Sequence, residues 1–319
     1  MRSNCGVYVD AGYLLAAAAT RITGTSLRNG IAVDYPSLLQ GLISEAEALA
    51  ALPVLRVNWY DAAPNGIPDQ EQERIGTLPK VKLRLGRFGF DGQQKGVDLR
   101  IGLDMVAHAR NGAVDAIVLV SGDDDLTEAV EEAQVHGVQV IVLAVPTVEG
   151  RPHGVSKHLH RAADNLEVMD VKALELSIRR PAPTVAATPS PTPATPALGI
   201  RVPSPAVVAG ITRPPSTGAP AYSGTTGAPP TIAAEYARTD EEISEIIDVV
   251  AEKALTSFLA SAAAEDLAAF ESGRPSIPRD LDRALLVDLS DALNTYNLSD
   301  GLRTQLRKRF WVMVDADER

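Results

Sequence analysis

The residues of this chain that could do chemistry lie in four short acidic segments: Val7-Tyr8-Val9-Asp10-Ala11-Gly12, Lys95-Gly96-Val97-Asp98, Asp104, and Ser121-Gly122-Asp123-Asp124-Asp125. Carboxylates gathered in one crevice repel one another unless a divalent cation sits among them. The chemistry this points to is a hard-metal site. Two of the segments follow apolar runs, Cys5–Val9 and Ala116–Val120, that read as buried strands. In an open α/β sheet, residues just past the carboxyl ends of strands meet in one crevice, so the order of elements must deliver these acids to one place.

Each acid also has a plainer duty. Asp10 suits the N-cap of a helix opening at Ala11, and Asp98 suits the first turn of its helix, where the macrodipole favours an acid. Asp125 and Glu128 have capping-box spacing, so Asp125 reads as ligand, cap or both. Asp123 reads as a ligand, and Asp124 is expected to face solvent. Asp104 comes six residues after Asp98, about 240° around a helix. It is the outer candidate and suits a pair with Arg100. Beside the second segment lie Lys80, Lys82, Arg84, Arg87 and Lys95, opposed only by Asp91. That run reads either as a solvated strand face or as a path for a phosphate backbone, with Lys95, Lys82 and Arg84 as candidate contacts. Ser156–Arg161 could extend the path. Its His158-x-His160 pair lacks the third nitrogen or sulfur ligand that zinc requires.

The elements alternate. Strands are expected at Cys5–Asp10, Val54–Tyr60, around Val81, Leu83 and Leu85, and at Ala116–Val120, Val138–Ala144 and Leu166–Met169. Helices are expected at Gly12–Thr20, Pro36–Ala50, Val97–Arg110, Leu126–His136 and Val155–Ala163. Such alternation implies an α/β fold with a mainly parallel, doubly wound sheet. Three domains follow: 1–176; a disordered Pro/Ala/Thr-rich linker over 177–237; and a small all-α domain over 238–319. Residues 181–237 hold 13 of the 22 prolines and only three charges, and such a Pro-rich stretch stays extended and buries too little apolar surface to offset its chain entropy. In the last domain Thr239 and Glu242 form a capping box, and Leu281, Leu285, Leu289 and Leu293 make a stripe. About three helices are expected there, with a basic patch at Arg303, Arg307, Lys308 and Arg309.

The net charge is −11, so nucleic-acid binding through bulk charge is excluded and only a local patch or a bound cation could support it. No apolar run approaches the roughly 18 residues of a membrane span, and no signal-peptide pattern precedes the first strand. With Cys5 the lone cysteine, a disulfide framework is excluded, and a cytoplasmic location with no membrane partner is expected.

Together these segments resemble the NYN (LabA-like) family of PIN-like nuclease domains over about residues 5–170. Val-Tyr-Val-Asp-Ala-Gly is similar to the family's first strand and its Asp. Residues 94–105, Q-K-G-V-D-L-R-I-G-L-D-M, resemble its K-G-V-D…D-M helix, residues 121–126 its S-G-D-x-D-F loop, and residues 154–164 its closing helix. The resemblance implies a PIN-like α/β/α sandwich that hydrolyses RNA phosphodiesters with Mg²⁺ or Mn²⁺, as an endonuclease. It implies Asp10, Asp98, Asp123 and Asp125 as catalytic metal ligands. Where relatives carry Asn three residues after the first Asp, this chain has Tyr13, expected to stack on a base or to weaken activity. A catalytically silent RNA-binding or regulatory scaffold is the non-enzymatic alternative. A haloacid-dehalogenase-like phosphatase fits less well, because the second carboxylate it needs two residues after Asp10 is replaced by Gly12. The C-terminal helical domain, outside the resemblance, is expected to mediate a homo-oligomer contact or to bind a protein partner.

Overall fold

The computed structural model describes residues 3–88, 94–181, 239–293, 295 and 298–317. Most of the expected linker, and Asp91, lie outside them. The chain enters β1 (Cys5–Asp10), whose six residues are all buried, and passes directly into α1 (Ala11–Thr23). Gly24, at φ 85°, ends α1 in the left-handed conformation that glycine adopts without strain. A short 3-10 turn, Arg28–Gly30, leads to β2 (Ala32–Val33) and α2 (Tyr35–Ala50), which is capped by Asp34. Next come β3 (Val54–Ala63), α3 (Gln70–Gly76), β4 (Val81–Phe88), β5 (Gln94–Lys95) and α4 (Val97–Arg110). The domain closes with β6 (Ala116–Val120), α5 (Thr127–Val135), β7 (Gln139–Ala144), α6 (Lys157–Ala162), β8 (Asn165–Val168), α7 (Val171–Ser177) and β9 (Ile178–Arg179).

Seven strands form one sheet in the order β5-β4-β3-β1-β6-β7-β8, parallel except for the antiparallel β5, while β2 and β9 pair separately. Thus β9 continues the ordered chain past residue 176. Because β1 is central and buried on both faces, its residues serve two cores. Cys5, Val7 and Val9 pack toward α1, α2 and α7, and Tyr8 packs toward α4 and α5. On β6, Ala116, Val118 and Val120 join the first core and Ile117 and Leu119 the second. This double burial is why both strands read as unbroken apolar runs. The result is an α/β fold with helices on both faces of a mainly parallel sheet.

From residue 240 onward the described chain is helical: α8 (Asp240–Ser261), α9 (Ala264–Ser272), α10 (Arg279–Leu293) and α11 (Asp300–Asp317). The capping box at Thr239 and Glu242 is present, and Leu281, Leu285 and Leu289 are buried. There are four helices rather than the expected three. The extra one, α9, has nine residues, too few for a periodic stripe, and is held chiefly by Phe270. That ring lies 5.1 Å from Phe258 and stacks 5.1 Å from Trp311. Among the described residues no helix is long and apolar enough to cross a membrane.

Residues 1–183 and 239–319 form one compact unit. The seam is the segment after α1. Leu27 is buried in the core of the C-terminal helices. Asp288 of α10 accepts from the Thr25 hydroxyl at 2.5 Å and from the Ser26 N–H at 2.9 Å.

Candidate functional site

In the sheet, β1 sits between β3 and β6, so successive connections leave it in opposite directions along the sheet. Such a switch point opens a crevice beyond the carboxyl ends of the two strands. Asp10 stands there as the last residue of β1. Its carboxylate caps α1 by accepting the Tyr13 N–H at 3.2 Å, and the residue is only 9% exposed. The cap and the proposed ligand are therefore one and the same residue, and one oxygen of a carboxylate can serve the helix while the other faces the crevice.

Asp98 arrives in the first turn of α4, just after Gly96, which takes φ 81° at the N-cap. The Ser121–Asp125 loop arrives from β6. The charges of these acids act on one another. Burial pushes the Asp10 carboxyl up to about 6, with the charge of Asp98 adding to it and the Tyr13 N–H, Arg28 and the Gly12 N–H opposing. Asp98 is raised by burial first, then by Asp123 and Asp125, against its own N–H and Arg283. Asp123 is raised by burial, with Asp125 and Asp124 adding to it against the Asp125 and Asp124 N–H groups. Mutual repulsion thus links Asp10 to Asp98 and Asp98 to the loop.

The donor set is all carboxylate oxygen, the kind of ligand that hard divalent cations take. Among the described residues no three His, Cys, Asp or Glu side chains stand close enough to hold an ion by themselves.

The acidic loop is held from behind. The Ser156 N–H donates to the Gly122 carbonyl at 3.0 Å, and the Ser156 hydroxyl donates to Asp124 Oδ1 at 2.6 Å while capping α6. His158 Nδ1 lies 3.3 Å from Asp124 Oδ2. Hydrogen bonds from Ser156 first and His158 second keep the Asp124 carboxyl below its usual range. So Asp124 ties the loop to α6 and does not simply face solvent, as its place in the sequence suggested. The cap also differs from expectation. Asp123, not Asp125, accepts an N–H, that of Asp125 at 3.0 Å, leaving Asp125 exposed at the lip.

Gly122 is required by space. A Cβ there would lie 2.1 Å from the Gly154 carbonyl oxygen and 3.0 Å from Tyr13 Cε2. Gly122→Ala is expected to cost about 1–3 kcal/mol by overpacking against backbone, read as a drop in the urea midpoint. An unchanged midpoint would remove the steric account.

Tyr13 is not a free stacking platform. Its hydroxyl donates to the His153 carbonyl at 2.6 Å and accepts from the Val145 N–H at 3.3 Å, fixing the ring between β7 and the loop before α6. Arg84 and Asp104 pair with each other. The guanidinium pairs bidentately with Asp104 at 2.8 and 2.7 Å, and the buried Tyr60 hydroxyl donates to the same carboxylate at 2.9 Å. Asp104 thus finds its partner on β4 rather than in Arg100 on its own helix. Lys82 is exposed on β4. The Lys95 backbone pairs with Arg87 in the β4–β5 ladder, and its side chain lies outside the described residues.

Residues with no signal in the sequence complete the surroundings. Asp61, near the end of β3, accepts from Gln72 at 2.8 Å and lies 3.6 Å from Arg28. Arg28 and Arg283 both act electrostatically on the acids.

The family model described as NYN domain matches residues 4–170. The chain is also similar to the uncharacterized protein y4oD of Sinorhizobium fredii, 36% identical over 126 residues, covering 38% of this chain and 58% of the relative. The match therefore spans little more than half the length of that curated relative.

Proposed function

The chain belongs to the NYN domain family, and from that premise we propose that it is a divalent-metal-dependent ribonuclease, an endonuclease that hydrolyses RNA phosphodiesters in the crevice beside Asp10. The observation that carries this reading is the chain of carboxylates at the switch point, each raising the pKa of the next. Acids that repel one another at neutral pH are costly to keep together, and a cation offsets that cost.

Asp10, Asp98, Asp123 and Asp125 would hold Mg²⁺ or Mn²⁺, which when bound supplies Lewis-acid stabilisation of a phosphoryl centre. The chain's own residues do the positioning. The Tyr13 N–H fixes Asp10, and Ser156, through Asp124 and Gly122, fixes the loop that carries Asp123 and Asp125. Asp125 at the lip is the ligand best placed to meet an incoming strand. Lys82 and Lys95, on neighbouring strands, would lie along the phosphate path, whereas Arg84 is already engaged by Asp104. An RNA substrate accords with a cytoplasmic location.

The spacing of the carboxylates favours a second reading, an NYN-fold scaffold that binds RNA without cutting it. Labelled single-stranded and structured RNA incubated with the protein in Mn²⁺, Mg²⁺ or EDTA separates the two. Cleavage is expected in Mn²⁺ or Mg²⁺, none in EDTA, and none from an Asp10→Asn/Asp123→Asn double variant. Cleavage that survives EDTA or the double substitution would refute the metal-nuclease reading, and binding without cleavage in every metal would establish the scaffold.

A further inference from the structure

Two arginines from distant parts of the chain, Arg28 and Arg283, act electrostatically on the carboxylates of the crevice. Arg28, just after α1, has one guanidinium nitrogen 3.6 Å from Asp61, while its Nη2 is buried with no hydrogen-bond partner. A buried donor left without an acceptor is unfavourable and therefore uncommon. Arg283 comes from α10, in the C-terminal helices. The residue is exposed; the charge of Arg28 repels it, and those of Asp10, of Asp280 on its own helix and of Asp61 attract it. Among the described residues it forms no ion pair or hydrogen bond of its own. Two repelling guanidinium groups beside an acidic crevice, both with donors to spare, leave a place for a bridging anion.

Packing sets the placement of the pair. Asp288 binds Thr25 and Ser26, and the Ser26 hydroxyl lies 3.5 Å from the carbonyl of Ala284, the residue after Arg283. Leu27 is buried among the C-terminal helices. At Gly30 a Cβ would meet Ser257 of α8 at 2.7 Å, so this segment lies tight against the helices on both sides of Arg28. The segment that carries Arg28 and the helix that carries Arg283 are thereby locked together.

We propose that Arg28 and Arg283 form a clamp for an RNA phosphate at the mouth of the carboxylate crevice, so that α10 supplies half of the substrate site. The clamp rests on the ribonuclease reading for the identity of its anion. Guanidinium groups suit it because each presents paired donors to two phosphate oxygens. It also gives the C-terminal helices a role in the same chemistry as the first domain. The crevice provides the cation ligands, and the helices provide a cationic hold on the strand.

The test measures binding separately from cleavage, using the full chain and a short, hydrolysis-resistant phosphorothioate RNA followed by fluorescence anisotropy in Mn²⁺ across a salt series. Arg283→Ala is expected to weaken binding about tenfold, to lower the slope of log K against log salt by about 0.7, and to leave the melting midpoint unchanged. Arg28→Ala should do the same to binding, and Arg283→Lys should restore only part of the loss. Binding by Arg283→Ala within twofold of wild type, with the same salt slope, would overturn the clamp. Tighter binding or faster cleavage by that variant would overturn it too, making α10 a plug. Wild type that binds through Arg283 yet cuts no RNA in Mg²⁺ or Mn²⁺ keeps the clamp and removes the nuclease. Cleavage with binding indifferent to both arginines does the reverse. A wild-type protein that binds no RNA removes the clamp.

Discussion

Asp10→Asn is expected to abolish metal-dependent RNA cleavage while making the metal-free protein more stable at pH 8. Burial and Asp98 raise the Asp10 carboxyl from an ordinary 3.8 to about 6. A carboxyl whose folded pKa is raised favours the folded state below its unfolded pKa, and that contribution is lost as pH rises through the folded value. Above about pH 6 the ionised Asp10 therefore opposes folding. Two pKa units correspond to about 3 kcal/mol at most. Asparagine removes the charge and keeps an oxygen to accept the Tyr13 N–H. In EDTA the variant should melt roughly 5–10 °C above wild type at pH 8, with the gap closing as pH falls toward 4. Mn²⁺ should raise the wild-type midpoint and leave that of the variant nearly unmoved. Calorimetry across pH, with and without Mn²⁺, reads all three effects. A variant less stable than wild type at pH 8 would show that the ionised Asp10 carboxylate supports the fold and does not oppose it.

Asp104→Ala should show the opposite pattern, with stability lost and the carboxylate crevice left intact. Arg84 would lose a bidentate partner, and the Tyr60 hydroxyl, on a side chain with no solvent exposure, would lose its acceptor. Leaving a buried hydroxyl unsatisfied costs about 1–3 kcal/mol. The stranded guanidinium adds less, because it is partly exposed and solvent screens it. A total near 3 kcal/mol is expected, measured as a fall in the urea midpoint. Asp104→Asn should recover part of it. Under conditions where the variant is folded, RNA cleavage should stay within a few-fold of wild type. Cleavage lost as completely as in Asp10→Asn would place Asp104 among the metal ligands.

These two variants separate acids that look alike in the sequence. Asp10 and Asp104 each lie near a motif, and only helical geometry counted against Asp104. Its true partner, Arg84, lies on a strand twenty residues upstream, beyond the reach of any helix-surface rule. Asp124 is a similar case. Three successive acids suggested that one must be idle, yet the middle one anchors α6 through Ser156. Tyr13 at a position where an asparagine was expected suggested a base platform, and its hydroxyl proves to be spent on two backbone groups.

The sequence by itself determined the longer strands and helices of the sheet domain and the order in which they deliver acids. Five- or six-residue apolar runs read as strands buried on both faces and the spacing over 97–110 as a helix, so β1, β6 and α4 were legible nearly residue for residue, and with them the places of Asp10, Asp98 and Asp123. Elements too short to show a period, the two-residue β2, β5 and β9 and the helices α3, α7 and α9, were not legible. Only the tertiary structure decided which charges meet. An ion pair or a shared crevice depends on distance in space, and chain separation carries no record of it. That is why Arg84 left the phosphate path for Asp104, and why Arg283, from a helix that read only as a leucine stripe, acts on the charge of Asp98.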